Sequence, residues 1–286
     1  MRTVLYIDYS RNKSRYLRGI LSPIIFLAIC FVVSIILELI FPKLNAHLNF
    51  PDFIKDFFAL HYWQSHIYSN LWNMFALVFP FIYFYELMAG LSKSVITEER
   101  METVIYMHNL GVNRDTMLLT KFGIWSIYSL LNCVILFLEN MLFFIIIKNY
   151  NMIKTAGIYS IRLFTIGIVY LSIALFLASF EGHENDSAST SIAVIIIPFL
   201  IARVHALIHL FADILFLSGR SYNGLDKISS VADSLTSLHL ICPLFWSYPS
   251  QSIRLSYIIC AFAITIVMFV TGYSIYTRDN IIYRNR

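Results

Sequence analysis

The sequence predicts an all-α, polytopic membrane protein with six transmembrane helices. Hydrophobic residues make up 58% of the chain, and charged residues only 13%. Several apolar runs approach or exceed the roughly 20 residues that cross a bilayer as a helix. The sequence lacks the alternating ten-residue strands of a membrane β-barrel. Because it shows no internal repeat and no low-complexity linker, we interpret residues 1–286 as a single transmembrane domain.

The N-terminal segment 3–19 is predicted to be an interfacial helix on the inner leaflet, since it mixes apolar and aromatic residues with basic ones. The first apolar run follows at 20–41. It ends in Glu38-Leu-Ile-Phe-Pro42, without the small-residue cleavage site of a signal peptide. We therefore expect this run to remain in the protein as its first span.

The spans are placed by their length and apolar character at 20–41, 71–91, 122–147, 158–180, 190–213 and 255–276. An even number of spans puts both termini on the same side. With the termini inside, twelve basic residues face the cytoplasm and seven face out. Since cytoplasmic loops are enriched in Lys and Arg, the sequence predicts a plasma (inner) membrane protein with both termini cytoplasmic.

Two outer segments are too long for simple turns. In 43–70, apolar residues recur at helical spacing from Phe50 to Phe58, which predicts an amphipathic helix on the outer leaflet. Segment 214–254 has a second helical pattern and then an aromatic stretch broken by Pro243 and Pro249. This predicts a re-entrant or interfacial hairpin just before the sixth span.

A polar segment, Ser92 to Lys121, separates the second and third spans and concentrates much of the charge of the chain. Its apolar residues recur at helical spacing as far as His108. Gly111 then interrupts the pattern, and Asn113 or Asp115 can cap the next helix. The predicted order is a span, a polar helix, a glycine turn and a span. Polar loops are common in membrane proteins, so composition alone assigns this one no partner.

This segment resembles the intracellular loop of the ABC-2-type permeases, the membrane subunits of ATP-binding-cassette exporters. The family pattern is Ser-x-x-Ile-x-x-Glu, a Gly-Thr pair, Leu-Pro-Val-Ser-Arg and a Lys at the head of the next span. This chain departs from it with Glu102 in place of Gly, Gly111 in place of Pro and Asn113 in place of Ser. The matching residues are Ser92, Ile96, Glu98 or Glu99, Thr103, Leu110, Val112, Arg114 and Lys121.

The resemblance implies that the polar segment is a coupling helix, which docks into a groove on a separate ATPase. It implies ATP-binding-cassette subunits and a second permease copy or paralogue as partners, and export of an amphipathic or hydrophobic cargo, such as a peptide, an antimicrobial compound or a lipid-like molecule. The implied coupling residues are Glu98, Glu99, Arg100, Glu102, Met107, Gly111 and Arg114.

The chain has no Gly-x-x-x-x-Gly-Lys phosphate-binding loop. We therefore expect it to be no enzyme and to bind no cofactor itself, with ATP and Mg held by the partner ATPase. Nothing in the small net charge of +4 suggests nucleic acid; the other expected contact is the lipid bilayer.

Ionisable side chains inside predicted spans are costly and are usually paired or functional. Arg203, near the middle of the fifth span, is predicted to pair with Glu139 or with Glu86, either tying helices together or lining a translocation path. His205 and His209 lie on the same helical face as Asp213. That spacing can ligate zinc, but it lacks the Glu of a His-Glu-x-x-His motif, so we expect inter-helix polar contacts rather than a metal site.

Two alternatives stay open. An ion-coupled secondary transporter or a membrane sensor could use Glu86, Glu139 and Arg203 as a relay, although the missing inverted repeat disfavours common transporter designs. An intramembrane enzyme could use His205, His209 and Asp213.

Overall fold

The chain folds into α-helices throughout the part that a computed structural model describes. The described residues are 13–14, 17, 21, 25, 28–29, 32–33, 36, 67–100, 113–146, 148–179, 184–204, 207–208, 211, 242–248 and 255–278. Within these ranges the helices, in chain order, are α1 (Ile67–Arg100), α2 (Arg114–Ile146), α3 (Asn151–Ala178), α4 (Glu184–Ala202), α5 (Pro243–Ser247) and α6 (Leu255–Arg278).

Four of these helices are long and apolar enough to cross a bilayer: Phe75–Ile96 within α1, all of α2, all of α3, and Leu255–Thr277 within α6. They correspond to the predicted spans 71–91, 122–147, 158–180 and 255–276. The chain is thus an all-helical, multi-pass membrane protein.

The predicted total of six spans is not confirmed. Of the predicted first span, 20–41, only isolated residues are described; they are helical, and their side chains are exposed. The predicted fifth span, 190–213, begins with α4, whose described apolar part is Ala188–Ala202; beyond it the described residues Val204, Leu207, Ile208 and Phe211 are also helical. The predicted interfacial helix, from Phe50 to Phe58, lies outside the described residues. Helix α1 begins at Ile67.

Helix α3 lies at the centre and packs against α1, α2 and α6, while α4 packs on α1. Glycines and small side chains allow these close crossings. A Cβ at Gly90 of α1 would lie 2.1 Å from the Trp125 ring of α2, so the indole rests directly on the α1 backbone. Small residues at helix contacts are typical of membrane bundles, where tight packing replaces the hydrophobic driving force. The outward faces of α2 and α6 carry exposed Leu, Ile, Val and Phe, as a lipid-facing surface does.

Helix α1 does not end with its apolar part. It continues without interruption to Arg100, so the second span and the first charged residues of the polar segment form one helix. The sequence predicts that this span ends at residue 91 and that a separate polar helix follows it. The charged turns at 97–100 are therefore a helical extension of the span.

A tight turn joins α2 to α3. The Asn149 amide donates to the Phe144 carbonyl (2.9 Å), and the Lys148 amide donates to the Ile145 carbonyl (3.1 Å). Lys148 has a φ of 56°. These features form the Schellman motif that ends many helices, with Lys148 at the left-handed position that usually holds glycine.

Of 214–254, the segment predicted to form a hairpin before the last span, only 242–248 is described. It contains the short helix α5. Its five residues are all buried, and it packs against α3, α1 and α4. Phe245 stacks on Phe199 of α4, and Trp246 stacks on Tyr257 of α6. The aromatic stretch is thus enclosed by protein, as irregular backbone close to a membrane domain has to be.

Candidate functional site

A row of polar contacts joins α1 to α2 inside the apolar bundle. The Tyr83 hydroxyl lies 2.6 Å from Ser129 Oγ, donates to the Ser129 carbonyl (3.1 Å) and lies 3.4 Å from Cys133 Sγ. Helix α3 closes this site, because a Cβ at Gly167 would lie 2.9 Å from Ser129 Oγ. Buried hydroxyls that satisfy one another fix the register of neighbouring helices.

A second tie lies toward the other end of the same helix pair. Trp72 Nε1 donates to Asn140 Oδ1 (2.7 Å), and Asn140 Nδ2 donates to the Leu136 carbonyl one turn back (2.8 Å). The Trp72 ring also meets Tyr159 of α3 edge-on, with centroids 5.8 Å apart. Each polar group of this tie has a partner, which is what a stable buried amide requires.

Glu86 lies on α1 and Glu139 on α2. Glu86 is close enough to Tyr128 of α2 for the two side chains to interact electrostatically. Both carboxylate oxygens of Glu139 are buried, and neither accepts a hydrogen bond from any residue within the described ranges. A buried carboxylate without such bonds is costly at membrane depth.

Arg203 comes directly after Ala202 of α4 and is only 1% exposed; helical hydrogen bonding continues past it, since the Leu207 amide donates to the Arg203 carbonyl (3.2 Å). Its guanidinium lies over the Phe245 ring of α5, with 4.0 Å from Cζ to the ring centroid, and 6.0 Å from the Phe199 ring. No hydrogen bond joins Arg203 to Glu139. An aromatic face attracts a guanidinium through the ring quadrupole, so the Phe245 ring stabilises this buried charge. Pairing of Arg203 with Glu86 stays a prediction.

A second arginine holds the end of the same short helix. Arg162 of α3 donates from Nη1 to the Tyr248 carbonyl (2.6 Å). Tyr248 packs edge-on against Phe245, with centroids 5.4 Å apart. Arg162 and Arg203 therefore approach residues 242–248 from two different helices. Together they fix this buried segment between α3 and α4.

The two ends of the polar segment are joined directly. The Lys121 ammonium of α2 donates to the Ser94 carbonyl of α1, and Lys121 is only 1% exposed. Two residues earlier in α1, Ser92 Oγ donates to the Ala174 carbonyl of α3 (3.2 Å). Lys121 is one of the twelve basic residues expected to face the cytoplasm, but its side chain lies inside the bundle.

Helix α6 joins the same end of the bundle through its last turns. A Cβ at Gly272 would lie 2.8 Å from the Phe176 Cα of α3, and Ser179 Oγ donates to the Gly272 carbonyl (3.0 Å). The Arg114 guanidinium of α2 lies over the Tyr276 ring, with 5.9 Å from Cζ to the centroid. We call these ties between the ends of α1, α3 and α6 and the start of α2 the collar. It comprises the contacts Lys121–Ser94, Ser92–Ala174, Ser179–Gly272, Arg114–Tyr276 and Asp115–Tyr273.

The predicted coupling residues fall into three groups. Arg114 is described, half-buried and part of the collar. For Glu98, Glu99 and Arg100 the structure describes the helical backbone of α1, but not the side chains. Glu102, Met107 and Gly111 lie outside the described residues.

The predicted histidine face is not described either, since His205, His209 and Asp213 lie outside the described residues. Within the described ranges, no group of three or more His, Cys, Asp or Glu side chains is placed to hold a metal ion.

Several collar and contact residues were not predicted from the sequence, although α2 carries a signal. Ser129, Asn132, Cys133 and Asn140 recur at three, four and seven positions on one face of an otherwise apolar helix. Polar residues at that spacing indicate a helix–helix contact. No comparable pattern distinguishes Lys121 from an ordinary cationic residue at the membrane interface.

Comparison of the chain with protein-family models, with curated proteins and with solved structures gives no match.

Proposed function

We propose that this chain is the membrane subunit of an ATP-binding-cassette exporter and that the segment 92–121 couples it to a separate ATPase. The proposal rests on the residues that resemble the ABC-2-type permeases. It is carried by one structural observation, the buried contact of Lys121 with the Ser94 carbonyl, because this contact fixes the start of α2 to the end of α1.

The continuity of α1 also supports the proposal. Glu98, Glu99 and Arg100 lie on the same uninterrupted helix as the apolar span Phe75–Ile96. A force applied to these charged residues therefore acts directly on the span, because no flexible loop separates the two. A polar loop that only connects two spans needs neither the helical extension nor the internal tie.

In this proposal the chain carries out no bond chemistry. ATP and Mg bind to the partner ATPase, and two permease subunits, identical or paralogous, form the path for an amphipathic or hydrophobic cargo. The end of the bundle that carries the collar faces the cytoplasm of a bacterial cell, and both termini lie on that side. Glu86, Glu139 and Arg203 line the path or tie its helices together.

Co-purification from the native host tests this function. We expect the tagged chain to retain an ATPase, and the double variant Glu98→Ala, Glu99→Ala to lose it without a change in thermal stability. The matched control, Glu181→Ala with Glu184→Ala, removes two acidic residues between the end of α3 and the first turn of α4 and should retain the ATPase. Transport that follows a proton gradient and needs no nucleotide would contradict the proposal.

A second candidate is an ion-coupled transporter, favoured by the buried Glu139 carboxylate, which accepts no hydrogen bond from the described residues. Such a carboxylate can take up a proton when it faces a polar path. Reconstituted vesicles distinguish the two functions: Glu139→Gln should abolish proton-driven uptake in this case and leave nucleotide-driven transport in the other.

A further inference from the structure

The collar contains a feature that the resemblance does not supply, namely a direct connection from the start of α2 to the end of the last helix. Arg114 covers the Tyr276 ring, and Asp115 interacts with the phenol of Tyr273 one turn earlier in α6. Deeper in the bundle, the Phe122 and Phe269 rings meet edge-on, with centroids 4.8 Å apart. Two polar contacts and one aromatic contact thus join the same faces of two helices.

The closest backbone contact and the polar contacts of α6 lie near its C-terminal end. Near its C-terminal end, Gly272 lies against the α3 backbone and Tyr276 is 2% exposed. In its first half, most large side chains are exposed, including Phe262 at 69%, and only Tyr257 and Ala261 are buried there. One face of α6 packs on α3 and the opposite face carries exposed apolar side chains, so a displacement of its C-terminal turns moves the helix as a whole.

We propose that Arg114 and Asp115 are positioning residues that pass displacement of the α2 start to α6 through Tyr276 and Tyr273. The inference rests on the proposed function, in which an ATPase displaces the α2 start. It adds that α6 is a driven helix and not a passive lipid-facing one. Helices α1 and α2 respond through the Lys121–Ser94 contact, whereas α6 responds through the Arg114–Tyr276 and Asp115–Tyr273 contacts.

Spin-label distances in the permease–ATPase complex test the inference. One label pair on exposed sites, Ile259 of α6 and Ile161 of α3, reports on the last helix, and a second pair, Val78 and Leu138, reports on α1 and α2. With MgATP and vanadate, both distances should shift in the wild-type complex. In the double variant Arg114→Ala, Asp115→Ala, which removes both contacts to α6, the first shift should disappear while the second remains. A first shift that persists would overturn the inference.

Hydrogen exchange on the full-length chain alone provides an arm that does not need an ATPase. Arg114→Ala with Asp115→Ala should speed amide exchange in residues 272–278 by about tenfold, because the last turns of α6 lose their contacts. The control Leu119→Ala changes an exposed side chain of α2 and should leave this exchange unchanged. Unaltered exchange in the first variant overturns the inference; absence of any nucleotide response in wild-type protein instead contradicts the proposed function.

Discussion

The Lys121 ammonium donates to the Ser94 carbonyl inside the bundle, 27 residues earlier in the chain. A carbonyl within a helix that also accepts from a buried cation accepts two hydrogen bonds. The second hydrogen bond offsets part of the free-energy cost of removing the cation from water. This one contact closes the base of the polar segment, and its loss should therefore lower the stability of the bundle.

Replacing Lys121 with Met keeps most of the side-chain volume and removes the donor. We expect the variant to lose about 2 kcal/mol of stability, as for hydrogen bonds to charged groups. Thermal unfolding in detergent measures the loss. Lys154→Met removes an exposed ammonium of α3 and is expected to unfold at the wild-type temperature. If both variants lost the same stability, the loss would come from removing a positive charge and not from this contact.

The close approach of α3 and α6 predicts a penalty for added volume at Gly272. The nearest atoms to a new Cβ are backbone atoms of Phe176, at 2.8 and 2.9 Å, and these cannot rotate away. Gly272→Ala should therefore cost about 2 kcal/mol in unfolding experiments, as overpacking does. At Gly123 of α2 a Cβ meets nothing within 4 Å, so Gly123→Ala should be neutral or slightly stabilising. The reverse order would refute this close crossing of α3 and α6.

The contact of Arg203 with Phe245 predicts an interaction energy that a double-mutant cycle can isolate. Arg203→Met, Phe245→Leu and the double variant should give a coupling of about 2 kcal/mol, the magnitude of a desolvated cation–π contact. Unfolding free energies of the four proteins supply the cycle. A coupling near zero would mean that the guanidinium is stabilised by other groups.

The turn at Lys148 predicts a stabilising substitution. Lys148 is exposed and adopts the left-handed conformation, so its side chain strains the backbone without packing in return. Lys148→Gly should raise the unfolding free energy by about 1 kcal/mol. At the exposed helical residue Lys154, the same substitution should lower it, because glycine weakens a helix. A loss in both variants would argue against the left-handed turn.

The burial of Cys242 predicts slow thiol chemistry. This residue lies outside the four candidate spans and has no exposed surface, and burial raises the pKa of its thiol to about 12. At pH 8 the reactive thiolate is therefore about 10⁻⁴ of the total. In a variant that keeps Cys242 as its single cysteine, maleimide labelling should begin only as the protein unfolds. Rapid labelling of the folded protein would contradict this burial.

Apolar length and composition were enough to predict α1, α2, α3 and α6, because crossing a bilayer imposes both. The continuation of α1 past its apolar part was not predictable in this way. A helix that leaves the membrane stops being apolar before it stops being helical, so α1 is still helical at Arg100, beyond the first charge at Lys93.

Pairing of side chains was harder to predict than the helices themselves. The contact of Arg203 with the Phe245 ring depends on where α5 inserts, and the sequence pattern of 214–254 does not specify that position. Likewise, burial of Lys121 depends on the backbone of α1 presenting the Ser94 carbonyl to it. Both contacts arise from long-range packing and leave no periodic signal.

The uneven burial of α6 has a consequence for biogenesis. Helices α1, α2 and α3 enclose the buried core contacts, and α6 follows them in the chain, so the core can be assembled in the membrane before α6 is synthesised. The last helix then docks on α3 along one face, where Tyr257, Ala261, Gly272 and Tyr276 are buried. Errors of insertion should accordingly appear as chains in which α1, α2 and α3 are protease-resistant while α6 remains accessible.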